Sequence, residues 1–232
     1  MAGTATAEFD LPPPSHRIFG THGIMHGVIT RRGKNNRVVR RLNPYLQKKR
    51  ATVFGHNGIP VGSWWPLQLV ALFNGAHGSA MGGICGDVQL GAYSILIANT
   101  YDDLDTDDGD VIYYSGSNSH KNKNPNRPED SSRGTSALKA SFRTQNPVRV
   151  LRSGGSTAVT SRSSNKYLPR AGVRYDGLYR VVSMRTPKNS NGGLYEQFRL
   201  ERLDGQPSLS EIRRSSPTTQ QLLDLEEIQR GY

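Results

Sequence analysis

After Ala51 the apolar residues fall into short runs that favour extended chain. Pro66–Phe73, Ala92–Ala98, Val111–Ser115, Val148–Arg152, Leu178–Met184 and Leu194–Arg202 are rich in β-branched and aromatic residues and are predicted as strands. Gly, Pro, Asn and Asp clusters separate them. Leu194, Phe198 and Leu200 share one face by period-two counting with charges opposite, the pattern of a half-buried strand. Helical spacing is rarer. Thr135 is predicted to cap a short helix carrying Leu138 and Phe142, and Ser216-Pro217 to open another through Leu222, Leu223, Leu225 and Ile228. Val38, Leu42, Tyr45 and Leu46 also recur at helical spacing, with Asn43-Pro44 dividing two short helices. The polar stretch from Ser115 to Gly134 has no apolar anchor and is either a functional or a disordered loop. The pattern predicts an α+β fold with a strongly bent sheet or barrel.

Composition sharpens this picture. Of 232 residues 34% are hydrophobic, and 25 Gly with 13 Pro indicate many turns, which favours a β-rich domain over a helical bundle. One cysteine, Cys85, excludes an intrachain disulfide and a Cys-based zinc cluster. No apolar run reaches the roughly 18–20 residues of a membrane span, and no signal-peptide core is evident, so a soluble cytosolic or nuclear protein is expected. The net charge of +11 points to a polyanionic partner. Nine cations crowd Arg31–Arg50 without an acid: Arg31, Arg32, Lys34, Arg37, Arg40, Arg41, Lys48, Lys49 and Arg50. Residues 1–50 are accordingly expected to form a basic arm, partly helical or disordered, that contacts phosphate. Residues 51–232 are expected to form the folded domain.

The residues exclude several chemistries. The six histidines form no HExxH or metal-spaced pair. Gly75-Ala76-His77-Gly78-Ser79 is not a nucleophile elbow, and Gly82-Gly83-Ile84-Cys85-Gly86 lacks the P-loop lysine. Six of the nineteen acids fall within Asp102–Asp110. Asp103, Asp105 and Asp107 have calcium-like spacing, but the glycine falls one place late and position twelve is Tyr114 instead of Glu. No catalytic, metal or cofactor site is predicted. Tyr101 and Tyr114, however, bracket this acidic turn at the ends of two strands. Two aromatic rings with a carboxylate between them suit a flat base bearing an amine.

Five blocks in order carry a resemblance. They are Phe54-Gly55 with Pro60-Val61-Gly62-Ser63-Trp64-Trp65; Gly91-Ala92-Tyr93-Ser94-Ile95 followed by Tyr101-Asp102-Asp103-Leu104-Asp105; Tyr114-Ser115-Gly116-Ser117; Pro147-Val148-Arg149-Val150-Leu151-Arg152; and Lys166-Tyr167 through Arg174-Tyr175-Asp176-Gly177-Leu178-Tyr179. Over about residues 53–232 the chain resembles the SET- and RING-associated (SRA or YDG) domain, with the layout of its stand-alone fungal members.

The resemblance implies a PUA-like bent β-barrel with flanking helices that reads 5-methylcytosine in duplex DNA, in CpG context, by flipping the base. On it, Tyr101 and Tyr114 would sandwich the base. Asp103, with Asp102 as its alternative, would accept from the cytosine amine, and Ser115 would contact the edge near the methyl group. Gly75, Ala76 and His77 would form a thumb entering the minor groove. Asn122, Lys123, Asn124, Asn126 and Arg127 would form a finger entering the major groove. The expected role is a nuclear, non-enzymatic module bound to DNA with modified cytosine and working among chromatin proteins. The chain has no SET or RING portion, so methyl transfer and ubiquitin ligation are not implied. The alternatives are a recruitment or structural domain that has lost base binding, and a PUA-type RNA-binding module.

Overall fold

A computed structural model describes residues 11–32, 38–98, 104–155 and 165–230. In chain order these form β1 (Val28–Arg32), β2 (Val38–Leu42), β3 (Trp64–Trp65), α1 (Gln68–Phe73), β4 (Ile84–Asp87), β5 (Gly91–Ile97), β6 (Thr106–Asp107), β7 (Val111–Ser115), α2 (Arg133–Thr144), β8 (Val148–Gly155), β9 (Gly172–Arg185), β10 (Gln197–Arg202), α3 (Leu209–Ser215) and α4 (Thr219–Arg230). Eight strands make one mixed sheet in the order β4-β5-β8-β9-β10-β7-β6, with β3 paired to the start of β9. Only β5 and β8 run parallel among the described pairs, α2 making their crossover. The fold is α+β with flanking helices, as expected. No pairing closes the sheet into a barrel among the described residues, so β4 and β6 are its edges.

The long strand β9 is bent by a bulge. Val150 faces Gly177 and Leu151 faces Tyr175, which leaves Asp176 as the extra residue. Gly177 takes φ +114, and a Cβ there would lie 2.4 Å from the Gln206 side chain. Tyr175 and Asp176 at the bulge are both fully buried, Tyr175 in an apolar cluster and Asp176 against Arg152 and Arg174. Two apolar clusters flank the sheet. One gathers Ile112, Tyr114, Leu138, Val148, Tyr179 and Phe198; the other gathers Ile18, Met25, Val70, Leu151, Tyr175 and Ile228.

That second cluster corrects the view of residues 1–50. Ile18, Phe19, Met25 and Val28 are core residues, and Arg17 bonds Asp224 and Glu227 of α4. The basic segment is a β-hairpin, not a helical arm: Val28 faces Leu42 and Arg32 faces Val38. β-branched Val28, Ile29, Thr30, Val38 and Val39 suit cross-strand pairing, and this outweighs the accidental helical spacing. Asn43 then turns the chain, its side chain accepting from the Tyr45 N–H at 2.9 Å.

Other elements shift as well. Pro66–Phe73 contains the helix α1, with Val70, Ala71, Leu72 and Phe73 buried. A short apolar run does not distinguish a buried helix from a buried strand. Ser132, instead of Thr135, caps α2, and Phe142 is largely exposed while Leu138 is buried. Helix α3 was not anticipated, although its capping box is visible as Ser208 and Glu211. The Gly-rich stretch around Cys85 is strand β4, paired to β5.

Candidate nucleic-acid interface

A cavity of about 420 Å³ opens where β5, β7 and β8 end. Its walls come from Gln68 of α1, Met81 to Gly83 of the loop before β4, Leu96 and Ala98, Asp105, Tyr114, Ser117 and Ser153. Tyr114 is held by its hydroxyl, which reaches the carbonyls of Gly83 and Leu96 at 3.3 and 3.2 Å. A Cβ on Gly83 would lie 2.7 Å from that hydroxyl, so the loop backbone comes this close only as glycine. Asp105 fixes the opposite wall, its Oδ1 accepting from the Ser115 N–H at 2.7 Å. Ser115 itself is buried with a hydroxyl that has no hydrogen-bond partner, and it stands beside the lining rather than in it.

Of the residues expected in the base pocket, Tyr114 lines this cavity and Ser115 lies next to it in sequence. Tyr101, Asp102 and Asp103 lie outside the described residues. Asp105, a carboxylate in the lining, was not singled out as a pocket residue from sequence, although its neighbours were.

The thumb moves. Gly75, Ala76 and His77 are interior: Ala76 belongs to the apolar core, and His77 is fully buried. The His77 ring bonds the Ser94 hydroxyl through Nδ1 at 2.8 Å and the Gly82 carbonyl through Nε2 at 2.7 Å. The residue that protrudes is Met81, 92% exposed at the rim of the cavity. Its loop is braced rather than loose. Ser79 Oγ accepts from the N–H groups of Met81 and Gly82, and Gln68 donates to the carbonyls of Ser79 and Gly82 at 3.0 Å each. The loop thus holds the Met81 side chain in a fixed, uncovered position beside the cavity. The signal in the sequence was a single large apolar residue among Ser79, Ala80, Gly82 and Gly83.

Burial pushes the His77 pKa down to about 4 from 6.5, with the nearby Arg149 charge acting the same way and the Gly82 carbonyl opposing. The folded state therefore binds fewer protons than the unfolded chain below pH 6.5. The stabilisation is fully present above that value and drains away as pH falls towards 4. Between pH 7 and 5 the protein is expected to lose about 2 kcal/mol. Urea midpoints should show this for the native chain, and a much flatter profile for His77→Gln.

The expected finger, Asn122 to Arg127, is a shaped loop. Asn122 is buried and serves as its internal brace, donating to the carbonyls of Arg127 at 2.8 Å and Leu194 at 2.7 Å and accepting from the Asn124 N–H at 3.0 Å. It reads no groove. Lys123, Asn124, Asn126 and Arg127 are exposed around it.

Among the expected phosphate contacts, Arg31 and Arg32 lie on β1, and Arg41 is exposed on β2. Arg40 is half-buried and turned inward, donating to the Ile228 carbonyl at 2.9 Å. Lys48, Lys49 and Arg50 are exposed, but Lys49 bonds the Asn57 carbonyl and Arg50 the Thr52 hydroxyl. Lys34 and Arg37 lie outside the described residues.

Several charged residues elsewhere in the chain are architectural. Arg149 is fully buried and donates to the carbonyls of Ala51, Val53, Gly55 and Ala76. Arg152 forks onto Asp107 at 2.7 and 2.8 Å and reaches Asp176 at 2.8 Å, which Arg174 also binds. The acid concentration in a basic chain is thus partly explained: Asp107 ties the turn that carries Asp105 onto the middle of the sheet.

Comparison with known proteins follows this geometry. The SAD/SRA domain model matches residues 53–206. A UHRF1-like protein of Cryptococcus neoformans var. grubii is 34% identical over 171 residues, covering 67% of this chain and 48% of that protein. The E3 ubiquitin-protein ligase UHRF1 of Bos taurus is 34% identical over 173 residues, covering 65% of this chain and 21% of the ligase. The chain therefore spans about half or less of these relatives. Among solved structures, the SUVH5 SRA domain in complex with methylated CHH DNA superimposes with TM-score 0.54 at 29% identity, over 68% of this chain and 98% of that one. A modification-dependent restriction endonuclease, TagI, superimposes with TM-score 0.56 at 31% identity, over 68% and 54%.

Proposed function

The chain belongs to the SAD/SRA domain family, and from that premise we propose that it binds duplex DNA and recognises 5-methylcytosine, in CpG context, by flipping the base into the cavity beside Tyr114. The observation that carries this reading is the pairing of that cavity with the exposed Met81 on a braced loop at its rim. A flipped base leaves a gap in the stack, and a protruding apolar side chain is what fills one. Tyr114 would stack on one face of the base and Tyr101 on the other. Asp103 or Asp102 would accept from the exocyclic amine, and Ser115, with its unpartnered hydroxyl, would lie near the base edge. The exposed Lys123, Asn124, Asn126 and Arg127 would meet the major groove, while Arg31, Arg32 and Arg41 with the segment Lys48–Arg50 would supply phosphate contacts.

Magnitudes set the division of labour. Extrusion costs a few kcal/mol, and stacking on aromatic rings returns about 1–3 kcal/mol per base. Burying one methyl group adds about 0.8 kcal/mol, roughly a four-fold preference. Phosphate contacts, favoured by the +11 charge, must supply most of the net affinity. The role is that of a reader in the nucleus, working among chromatin proteins. The ligase named in the UHRF1 relatives covers far more chain than this one matches, and no catalytic activity is proposed here.

The test compares four otherwise identical CpG duplexes at one physiological salt concentration: unmodified, hemimethylated, fully methylated and hydroxymethylated. Tighter binding of a modified duplex is expected. Met81→Ala should leave stability within about 0.5 kcal/mol, as the side chain is exposed. It should weaken the preferred modified duplex by roughly ten-fold while leaving the unmodified one nearly unchanged, because only the flipped complex buries the side chain. Equal losses on all four would make Met81 a general contact, and equal binding of all four by the native chain would favour the recruitment role.

A further inference from the structure

Away from the base-reading cavity, a second cavity of about 650 Å³ lies between the segment leading into β9 and the junction of α3 with α4. Four cationic side chains line it: Lys166, Arg170, Arg213 and Arg214, all on exposed residues. None of the four makes an ion pair among the described residues. Lys166 and Arg213 are held near one another over the same Tyr167 ring, 5.2 and 5.4 Å from its centroid. Arg174 forms part of the wall, but its guanidinium is committed to Asp176 and to the carbonyls of Tyr167 and Ser216. Like charges gathered this way repel one another until an anion joins them.

Two further features border the same space. Helix α4 begins here, twelve residues long and with no acidic residue in its first turn. Thr218 and Gln221 close a reciprocal cap, the Thr218 hydroxyl accepting from the Gln221 N–H and the Gln221 side chain from the Thr218 N–H. The N–H groups of Thr219 and Gln220 remain in the first turn, where no intrahelical carbonyl can reach them. The other group is Ser216. It is 7% exposed, it lines the cavity, and its hydroxyl is buried without a hydrogen-bond partner. A buried hydroxyl left unbonded has a cost that a bound acceptor would remove. A helix N-terminus, an unbonded hydroxyl and guanidinium groups bordering one space suit a tetrahedral oxyanion with several acceptor atoms.

We propose that this cavity is a phosphate-binding site, separate from base recognition. The phosphate is either a free ion or part of the DNA backbone. Tyr167 also packs on Gly109, in the turn that carries Asp105 to the base-reading cavity, so the two sites share that turn; a Cβ on Gly109 would lie 2.6 Å from the Tyr167 ring.

The test uses the full chain and inorganic phosphate at low salt, following the backbone amides of Thr219 and Gln220 by NMR. Saturable shifts are expected. Phosphate should bind several-fold more weakly to Ser216→Ala, which removes a hydroxyl that supports nothing inside the protein. Saturation should disappear in the double variant Arg213→Gln with Arg214→Gln, both exposed positions, with unchanged melting temperatures throughout. Shifts that never saturate in the native chain, or unchanged affinity in the double variant, would overturn the proposal. An unmodified duplex then identifies the source. Weaker duplex binding in the double variant, with a shallower salt slope, places a backbone phosphate in the site. Unchanged duplex binding beside lost phosphate binding assigns the site to a free phosphate. The preference for modified over unmodified DNA should be the same in native and variant chains, which separates this test from that of base recognition.

Discussion

Replacing Arg152 with methionine is expected to remove about 3–5 kcal/mol of folding stability, measured by urea denaturation at pH 7. The side chain is fully buried between β8 and the acidic turn, and its partners cannot be resolvated where they stand. Besides Asp107 and Asp176 it donates to the Gly109 carbonyl at 2.9 Å and reaches the Tyr179 hydroxyl at 3.3 Å. Burial alone would raise the Asp107 carboxyl, yet the fork from Arg152, helped by Asn165, holds it below the usual carboxylate range. Burial pushes Tyr179 up to about 12, so it stays a neutral hydroxyl and adds no further negative charge to the cluster. Without Arg152, Asp176 keeps Arg174, but Asp107 loses the one cation it pairs with among the described residues. Asp108→Asn, one residue along on an exposed position, should change stability by less than about 0.5 kcal/mol. A cost below about 1 kcal/mol for Arg152→Met would show that the network adds little beyond its own desolvation.

Tyr114→Ala should be the most damaging single change to recognition. Loss of one stacking face is expected to weaken binding of modified DNA by about 1–3 kcal/mol, roughly 5- to 150-fold. Binding to unmodified DNA at the same salt should change far less, since that complex leaves the pocket empty. The ring is also part of the core, so the variant should lose about 3–5 kcal/mol of stability, and its fold must be verified at the assay temperature. Tyr114→Phe separates the two effects. It keeps the ring and forfeits the bonds to Gly83 and Leu96, which should cost about 1 kcal/mol of stability while preserving the preference. If Phe behaved like Ala in binding, the hydroxyl's hold on the Met81 loop would matter more than stacking.

How far the chain can be understood without its folded form depends on whether the relevant signal is local. Strand β7, Val111–Ser115, follows directly from its β-branched and aromatic residues, and β5 and the start of β8 nearly so. The excess of cations over acids announces an anionic partner, and the ordered blocks of the YDG pattern announce the family. Tyr114 and the neighbourhood of Ser115 were identifiable for the same reason. By contrast, the run Gln68–Phe73 is helical because its apolar residues pack into a core on which helix and strand would place similar demands. The hairpin of residues 28–42 and its docking against α4 depend on partners some two hundred residues away, such as Ile18 and Ile228 in one cluster.

The functional assignments divide in the same way. The ordered blocks of the family pattern already implied a base-reading domain, because that resemblance is carried by residue identity and spacing along the chain. Three-dimensional packing decided which polar residues are free to act. Arg149, Arg152, Asp107, Asp176, Asn122 and His77 all look like surface or site residues in one dimension, yet each is withdrawn into the interior with its hydrogen bonds met inside the protein. In the sequence Met81 stands out only as a large apolar residue among small ones, and Ser216 only as a helix-opening residue before Pro217. The first acquires its role because a braced loop leaves it uncovered, and the second because the turn between two helices buries its hydroxyl without giving it a partner. Burial and exposure are properties of long-range contacts, so neighbours in sequence encode them only weakly.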